Sequence, residues 1–248
     1  MPVMREASGS IAKEPMGKPL MSHILFSPET QEIRNEVLLL SSMVEEAVMD
    51  SVWALKENNI ERSQRVLLQD MQINRRRFEI EISTMVVMAT QQPTARELRA
   101  LAASLDICSE LERMADYAKE IANINIRSEG LSLPAIVREI YSMAEKAVDM
   151  LHRAMTAFAD EDMQMAIAII REDDIIDECY TRLYYEAVQI VLGDARNIER
   201  ANYVIWIAHN LERLGDRTTN VCERVIYIET GEHYESSPIP GEFGRSPF

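Results

Sequence analysis

From Glu29 to Thr230 the chain contains only two prolines, Pro93 and Pro134, and three glycines, Gly130, Gly193 and Gly215. A sheet of any size needs turn residues about every 8–12 positions, and nothing in this stretch supplies them at that spacing. Glycine is 8 of 248 residues, about 3% where about 7% is usual. The chain is predicted to be all-helical. Ile33, Val37, Leu40, Val44, Val48, Ser51 and Leu55 step by four and three, which puts them on one core-facing stripe of a helix. Ser27 is placed to cap that helix and Pro28 to open it.

The few breakers divide the pattern into six long helices. Asn58 and Asn59 end the first, and a second runs from about Ile60 to Ala89. Pro93 opens a third that continues to about Arg127, after which Gly130 and Pro134 make the clearest break. The fourth carries Ile136, Ile140, Met143, Ala147, Leu151, Ala154 and Phe158 and turns at Asp160. The fifth runs to Leu192, stopped by Gly193 and Asp194, and the last from about Asn197 to Thr230, closed by Gly231. Long helices joined by short turns pack as antiparallel bundles. Residues 1–26 and 232–248, rich in proline and glycine and poor in periodicity, read as flexible tails.

Three helices then occur twice. At an offset of 100, Met43, Glu45, Ala47 and Val48 meet Met143, Glu145, Ala147 and Val148. At the same offset, segment 110–116 (ELERMAD) meets 210–216 (NLERLGD). In the middle helices the offset is 103, pairing Asp70 with Asp173 and Asn74 with Asp177, as a three-residue difference in turn length would produce. Two pseudo-symmetric three-helix repeats are therefore expected, over 27–130 and 131–231.

Charge and cysteine usage narrow the function. The net charge of −15, from 26 basic and 41 acidic residues, excludes nucleic acid or an anionic membrane surface as the main partner. It favours cationic proteins or metal ions. No run of apolar residues is long enough to enter a membrane. Three scattered cysteines, Cys108, Cys179 and Cys222, suit a reducing compartment rather than a disulfide framework, and the cytoplasm is the expected location. The many methionines read as core filling or a plastic partner surface, and the run Arg75 to Arg77 as a solvated face or a docking spot.

The acidic residues recur with the repeat. Glu112, Asp116 and Glu120 are spaced by four and share one helix face. Glu212, Asp216 and Asn220 repeat that face. Asp173 and Asp177, with Asp70 and Asn74 as counterparts, lie on the preceding helix, which runs antiparallel. Stacked carboxylates repel, and a hard cation such as iron, manganese, magnesium or calcium would offset that through oxygen ligands. The plainer reading is a solvated acidic face balanced by Arg113, Arg213 and Arg217. The duplication favours the metal, since an exposed Glu-Arg-x-x-Asp has no packing reason to repeat. His209, three residues before Glu212, is a further candidate ligand, with a local hydrogen bond as its simpler role. Gly215, inside a helix, reads as a point of close approach.

With those motifs in view, the chain resembles the PhoU family of phosphate-uptake regulators over about residues 29–231. The likeness rests on QPTARELR at 92–99, the doubled Leu-Glu-Arg-x-x-Asp, and ERLGDRTTN at 212–220 followed by Glu223 and Gly231. The resemblance implies two three-helix bundles and multinuclear metal clusters, usually iron or zinc, on the acidic motifs. It also implies a non-enzymatic adaptor linking a phosphate ABC transporter to a sensor histidine kinase in phosphate-starvation signalling. Glu212, Asp216, Asn220, Asp173 and Asp177 match the family motif; in the first half Ala115, Glu120 and Asn74 depart from it. Homodimerisation stays open.

Two other functions compete. A ferritin-like di-metal enzyme would also be helical and acidic, but needs Glu-x-x-His pairs. His23, His152, His209 and His233 follow Leu20, Asp149, Trp206 and Thr230 instead. A metal-free helical scaffold is the third reading. No nucleophile triad or nucleotide loop is visible, so no catalysis is expected.

Overall fold

The structure, a computed structural model, describes residues 26–128, 134–232 and 234. The expectations for the outer tails and for the break at Gly130 lie outside the described residues. Within them the chain is helical throughout: α1 (Pro28–Glu57), α2 (Ile60–Thr90), α3 (Ala95–Arg127), α4 (Pro134–Asp160), α5 (Met163–Ile170), α6 (Asp174–Gly193) and α7 (Ile198–Thr230). A short 3₁₀ turn over Ala195–Asn197 precedes α7.

Local chemistry sets the ends. The Ser27 side chain accepts from the Thr30 N–H, with Pro28 opening α1. Asn58 adopts a left-handed conformation (φ 52°) to close α1, and the Asn59 side chain caps α2. At α3, Thr94 and Glu97 form a reciprocal capping box. Glu97 also accepts the Ser27 N–H at 2.8 Å, tying the starts of α1 and α3 together. Gly231 (φ 74°) ends α7 in the left-handed region.

One expected helix is broken. The fifth is divided at residues 171–173 into α5 and α6. No glycine or proline marks the break; three consecutive acids do, with Asp173 as the N-cap and Asp174 and Asp177 in the first turn of α6. Negative charge there faces the positive end of the helix dipole.

Burial repeats in the register of the duplication. Val37, Leu40, Ala47 and Ser51 pair at offset 100 with Val137, Ile140, Ala147 and Leu151, and all are buried. Leu111, Met114 and Ala118 pair likewise with the buried Leu211, Leu214 and Thr218. In the middle helices Val66, Ile73 and Ile80 pair at offset 103 with Ile169, Ile176 and Leu183, again all buried. The three extra residues do not lengthen a turn, as the sequence suggested. Helix α1 ends at Glu57 and α4 at Asp160, each followed by one left-handed residue, Asn58 or Glu161, and one capping residue, Asn59 or Asp162. The insertion therefore extends α4 by most of one turn.

Helices α1, α2 and α3 pack together, as do α4, α6 and α7, and α1–α4 and α3–α7 contacts join the halves around one contiguous apolar core. Cys108, Cys179 and Cys222 are free and buried. Arg75 and Arg77 pair with Glu79 and Glu81 on their own helix, and Arg76 with Glu36 on α1, so the arginine run is internally balanced. Among the described residues no helix is long and apolar enough to cross a membrane.

Candidate metal centre

In the second half, α6 and α7 bring four carboxylates within electrostatic reach. Asp173 starts α6 and Asp177 lies one turn on; Glu212 and Asp216 come from α7. Gly215 is buried, and a Cβ there would lie 2.9 Å from Asp173 Oδ1. The missing side chain is what lets the Asp173 carboxylate rest against α7. Burial, then Asp177, Asp216 and Glu212, push Asp173 up to about 7. Burial, then Asp216 and Asp177, push Glu212 up to about 7 as well. Burial and the Asp216 and Asp174 charges also raise Asp177.

Glu212 Oε2 is buried without a hydrogen-bond partner. His209 Nδ1 lies 3.1 Å from it but without the alignment of a hydrogen bond, which leaves the oxygen orphaned. The imidazole is half exposed and packs 6.1 Å from the Tyr180 ring. Burial and Arg213 lower its proton affinity, which keeps it available as a neutral neighbour.

The first half is built differently. Asp70 is buried and receives the Lys119 ammonium at 2.8 Å. The same Nζ is 3.5 Å from Asp116 Oδ1, and the Asn74 amide donates to Asp70 Oδ2 at 3.4 Å. Burial, then Asp116, raise Glu112, while Arg77 pulls it back. Lys119 carries no signal in the acidic spacing, and only the paired structure makes its role visible.

Two expected ligands turn elsewhere. Asn220 donates its amide to Glu110 Oε2 on α3 at 3.1 Å, and Glu110 is also 3.4 Å from Arg217 Nη1. Arg217 further donates to the Tyr117 hydroxyl at 3.2 Å. This polar seam joins the halves, so sharing a face over two turns did not carry Asn220 into the acidic group. Glu120 pairs with Arg127 near the end of its own helix.

The second-half donor set fits a hard cation: all oxygen, crowded enough to hold protons near neutrality, with one buried oxygen unpartnered. Among the described residues no group of three or more His, Cys, Asp or Glu side chains is arranged to hold a metal ion as it stands. The first-half set does not fit: the Lys119 ammonium already contacts Asp70 Oδ2, although Oδ1 of the same carboxylate is buried without a partner. Gly215→Ala tests the cradle. Alanine gains about 1 kcal/mol of helix propensity while its Cβ displaces Asp173. The melting temperature of metal-free protein is expected to move by less than about 3 °C. Metal affinity, read by calorimetric titration, is expected to fall about tenfold or more.

Fold and site together define a tandem three-helix repeat protein with an acidic face on the last helix of each repeat. A family model, the PhoU domain, matches twice, over residues 37–124 and 140–225. The chain belongs to the PhoU family. It is 31% identical to the phosphate-specific transport system accessory protein PhoU homolog of Clostridium acetobutylicum, over 87% of this chain and 99% of that one. To the Escherichia coli accessory protein PhoU it is 28% identical, over 84% of this chain and 87% of that one. The crystal structure of PhoU from Pseudomonas aeruginosa overlays with a TM-score of 0.75 at 32% identity, covering 82% of this chain and 98% of that one. The first two relatives are named as accessory proteins of phosphate-specific transport, not as enzymes, and the ferritin-like enzyme reading is set aside.

Proposed function

We propose that this chain regulates phosphate uptake and phosphate-starvation signalling from the cytoplasm, as a metal-binding adaptor between a phosphate ABC transporter and a sensor histidine kinase. The doubled family match carries the regulatory reading, and the relatives' names tie it to phosphate-specific transport. The metal reading rests on the crowded second-half carboxylates around Gly215. Asp173, Asp177, Glu212 and Asp216 would hold the cation, with iron or zinc the first choices. The bound ion supplies positive charge that fixes this face; the carboxylates supply its oxygens, and Gly215 keeps Asp173 in place. Partner docking is supported by the outward face of α2, where Leu68, Met71, Phe78 and Met85 are each more than half exposed. Apolar side chains at that spacing suit a partner helix.

The test is genetic. In the source cell growing with ample phosphate, deletion is expected to raise output from a phosphate-starvation promoter about tenfold. The wild-type gene restores repression, and Glu212→Gln with Asp216→Asn restores little of it. Promoter output unchanged by deletion would overturn the regulatory reading; full repression by the double variant would overturn the metal's part in it.

A further inference from the structure

We infer that the first half binds no metal and carries its own counter-ion, the Lys119 ammonium, so that metal dependence is confined to the α6–α7 face. The inference rests on the metal reading of the second half for its contrast, while the Lys119 contacts stand by themselves.

The repeat makes the comparison residue by residue. Lys119 corresponds to Thr219, whose hydroxyl donates to the Asp216 backbone carbonyl at 2.7 Å. A cation in one half is thus a neutral, self-satisfied side chain in the other. Arg77, which faces Glu112 from α2, corresponds at offset 103 to Tyr180. Asn74, an amide donor to Asp70, stands where the second half has Asp177. Ala115, buried at 1% exposure, fills with a methyl group the space that Gly215 leaves to a carboxylate. Two cations, one amide and one methyl therefore separate the halves, and every one of these differences disfavours an added cation in the first.

The geometry explains why they act together. Asp70 is 4% exposed, and a buried carboxylate needs a partner. Lys119 provides it at 2.8 Å and reaches Asp116 at 3.5 Å, bridging the two helices as a metal would. A divalent ion entering here to reach Asp70 Oδ1, which is buried without a partner, would stand beside an ammonium already held by Oδ2 of the same carboxylate. In the second half, Asp173 has no such ammonium among its contacts with the described residues, and Asp177, Asp216 and Glu212 only add to its repulsion. One face draws a counter-charge from the chain itself.

Element-resolved mass spectrometry on purified full-length protein, loaded with iron(II) or zinc and desalted, tests the assignment. Glu112→Gln with Asp116→Asn is expected to leave the metal-to-protein ratio unchanged, while Glu212→Gln with Asp216→Asn lowers it about tenfold. Loss of about half the metal in the first double variant overturns the inference. In chelator, Lys119→Thr is expected to lower the melting temperature by about 5 °C, and adding Asp70→Asn to recover most of that loss. Lys119→Thr melting with the wild type overturns the inference whatever the metal content. Wild-type protein that takes up no metal overturns the metal reading alone, and the Lys119 result then decides the counter-ion.

Discussion

Metal-free protein is expected to melt about 3–6 °C lower at pH 8 than at pH 5, and a saturating divalent ion at pH 8 to recover the difference and more. The sign follows from the acidic group on α6 and α7. Asp173 and Glu212 are each pushed up to about 7 in the folded chain, against about 4 for an unfolded carboxylate. Between those values the native state holds protons that the unfolded state has released, so stability falls as pH rises through the window and levels off above it. These groups are only partly buried, and solvent screening leaves about 1–2 kcal/mol for the cluster as a whole. For a chain of this size that is a few degrees. His209 works in the opposite sense, held below its ordinary value by burial, but it is one half-exposed ring against several carboxylates. Glu97, held down at about 2 by the Ser27 and Thr94 backbone N–H groups, stabilises above pH 4 or so and loses that contribution only in stronger acid. It leaves the neutral window untouched. An ion present at a hundred times its dissociation constant adds about 2.7 kcal/mol, and more of it at pH 8, where no protons compete. Calorimetric scans in chelator and in manganese(II) at both pH values read the effect. Glu212→Gln with Asp216→Asn should flatten the pH dependence and raise the chelated melting temperature at pH 8. A wild-type profile that climbs from pH 5 to pH 8 in chelator would contradict the crowding.

The helical plan and its duplication are legible because they rest on spacing. A stripe such as Ile33 to Leu55 is buried throughout, since a 3.6-residue period admits one core-facing solution. Caps at Ser27 and Gly231 fall where the sequence places them, the serine through its side chain and the glycine through its left-handed backbone, while α3 is capped by Thr94 rather than opened by Pro93. The break between α5 and α6 is illegible because carboxylates, not glycine or proline, make it, and a run of Glu172, Asp173 and Asp174 reads equally well inside an exposed helix. Within the acidic faces, spacing identifies which residues share a side but not what lies opposite. Asp173 meets Gly215 because two helices approach there. Asn220 meets Glu110 because α3 crosses α7. Lys119 is hidden for a different reason: a lysine three residues from an aspartate is ordinary on any helix, and only the buried Asp70 opposite gives it a fixed task.

A second large effect is expected at Arg34, a first-half cation that meets the end of α4 in the second half. Its side chain is 3% exposed, the most enclosed of the cations in the ion pairs. The guanidinium donates to the Phe158 carbonyl at 2.6 Å and the Ala159 carbonyl at 3.0 Å, and also to Glu161. Phe158 and Ala159 lie in the last turn of α4, whose carbonyls have no helical partner of their own. Arg34, from α1, therefore caps the helix that the three-residue insertion lengthened. Glu161, in the left-handed residue just beyond, is held from the other side by Arg96, which also binds Glu229 on α7. The Phe26 and Phe158 rings stack on the guanidinium at 4.4 and 5.2 Å and exclude water from it. The offset of 100 puts Pro134 at the corresponding place, so this clamp exists in one half only and joins it to the other. Arg34→Met keeps the packing volume but leaves two carbonyls and half of a carboxylate's partners unmet. A loss of about 3–5 kcal/mol is expected, or a melting temperature about 10 °C lower by circular dichroism. Arg34→Lys should lose about half as much, because one ammonium cannot span both carbonyls and Glu161 together. The metal content should be unchanged in both variants, since the clamp lies apart from the α6–α7 carboxylates. Arg34→Met melting within about 2 °C of the wild type would show that α4 ends without this cap.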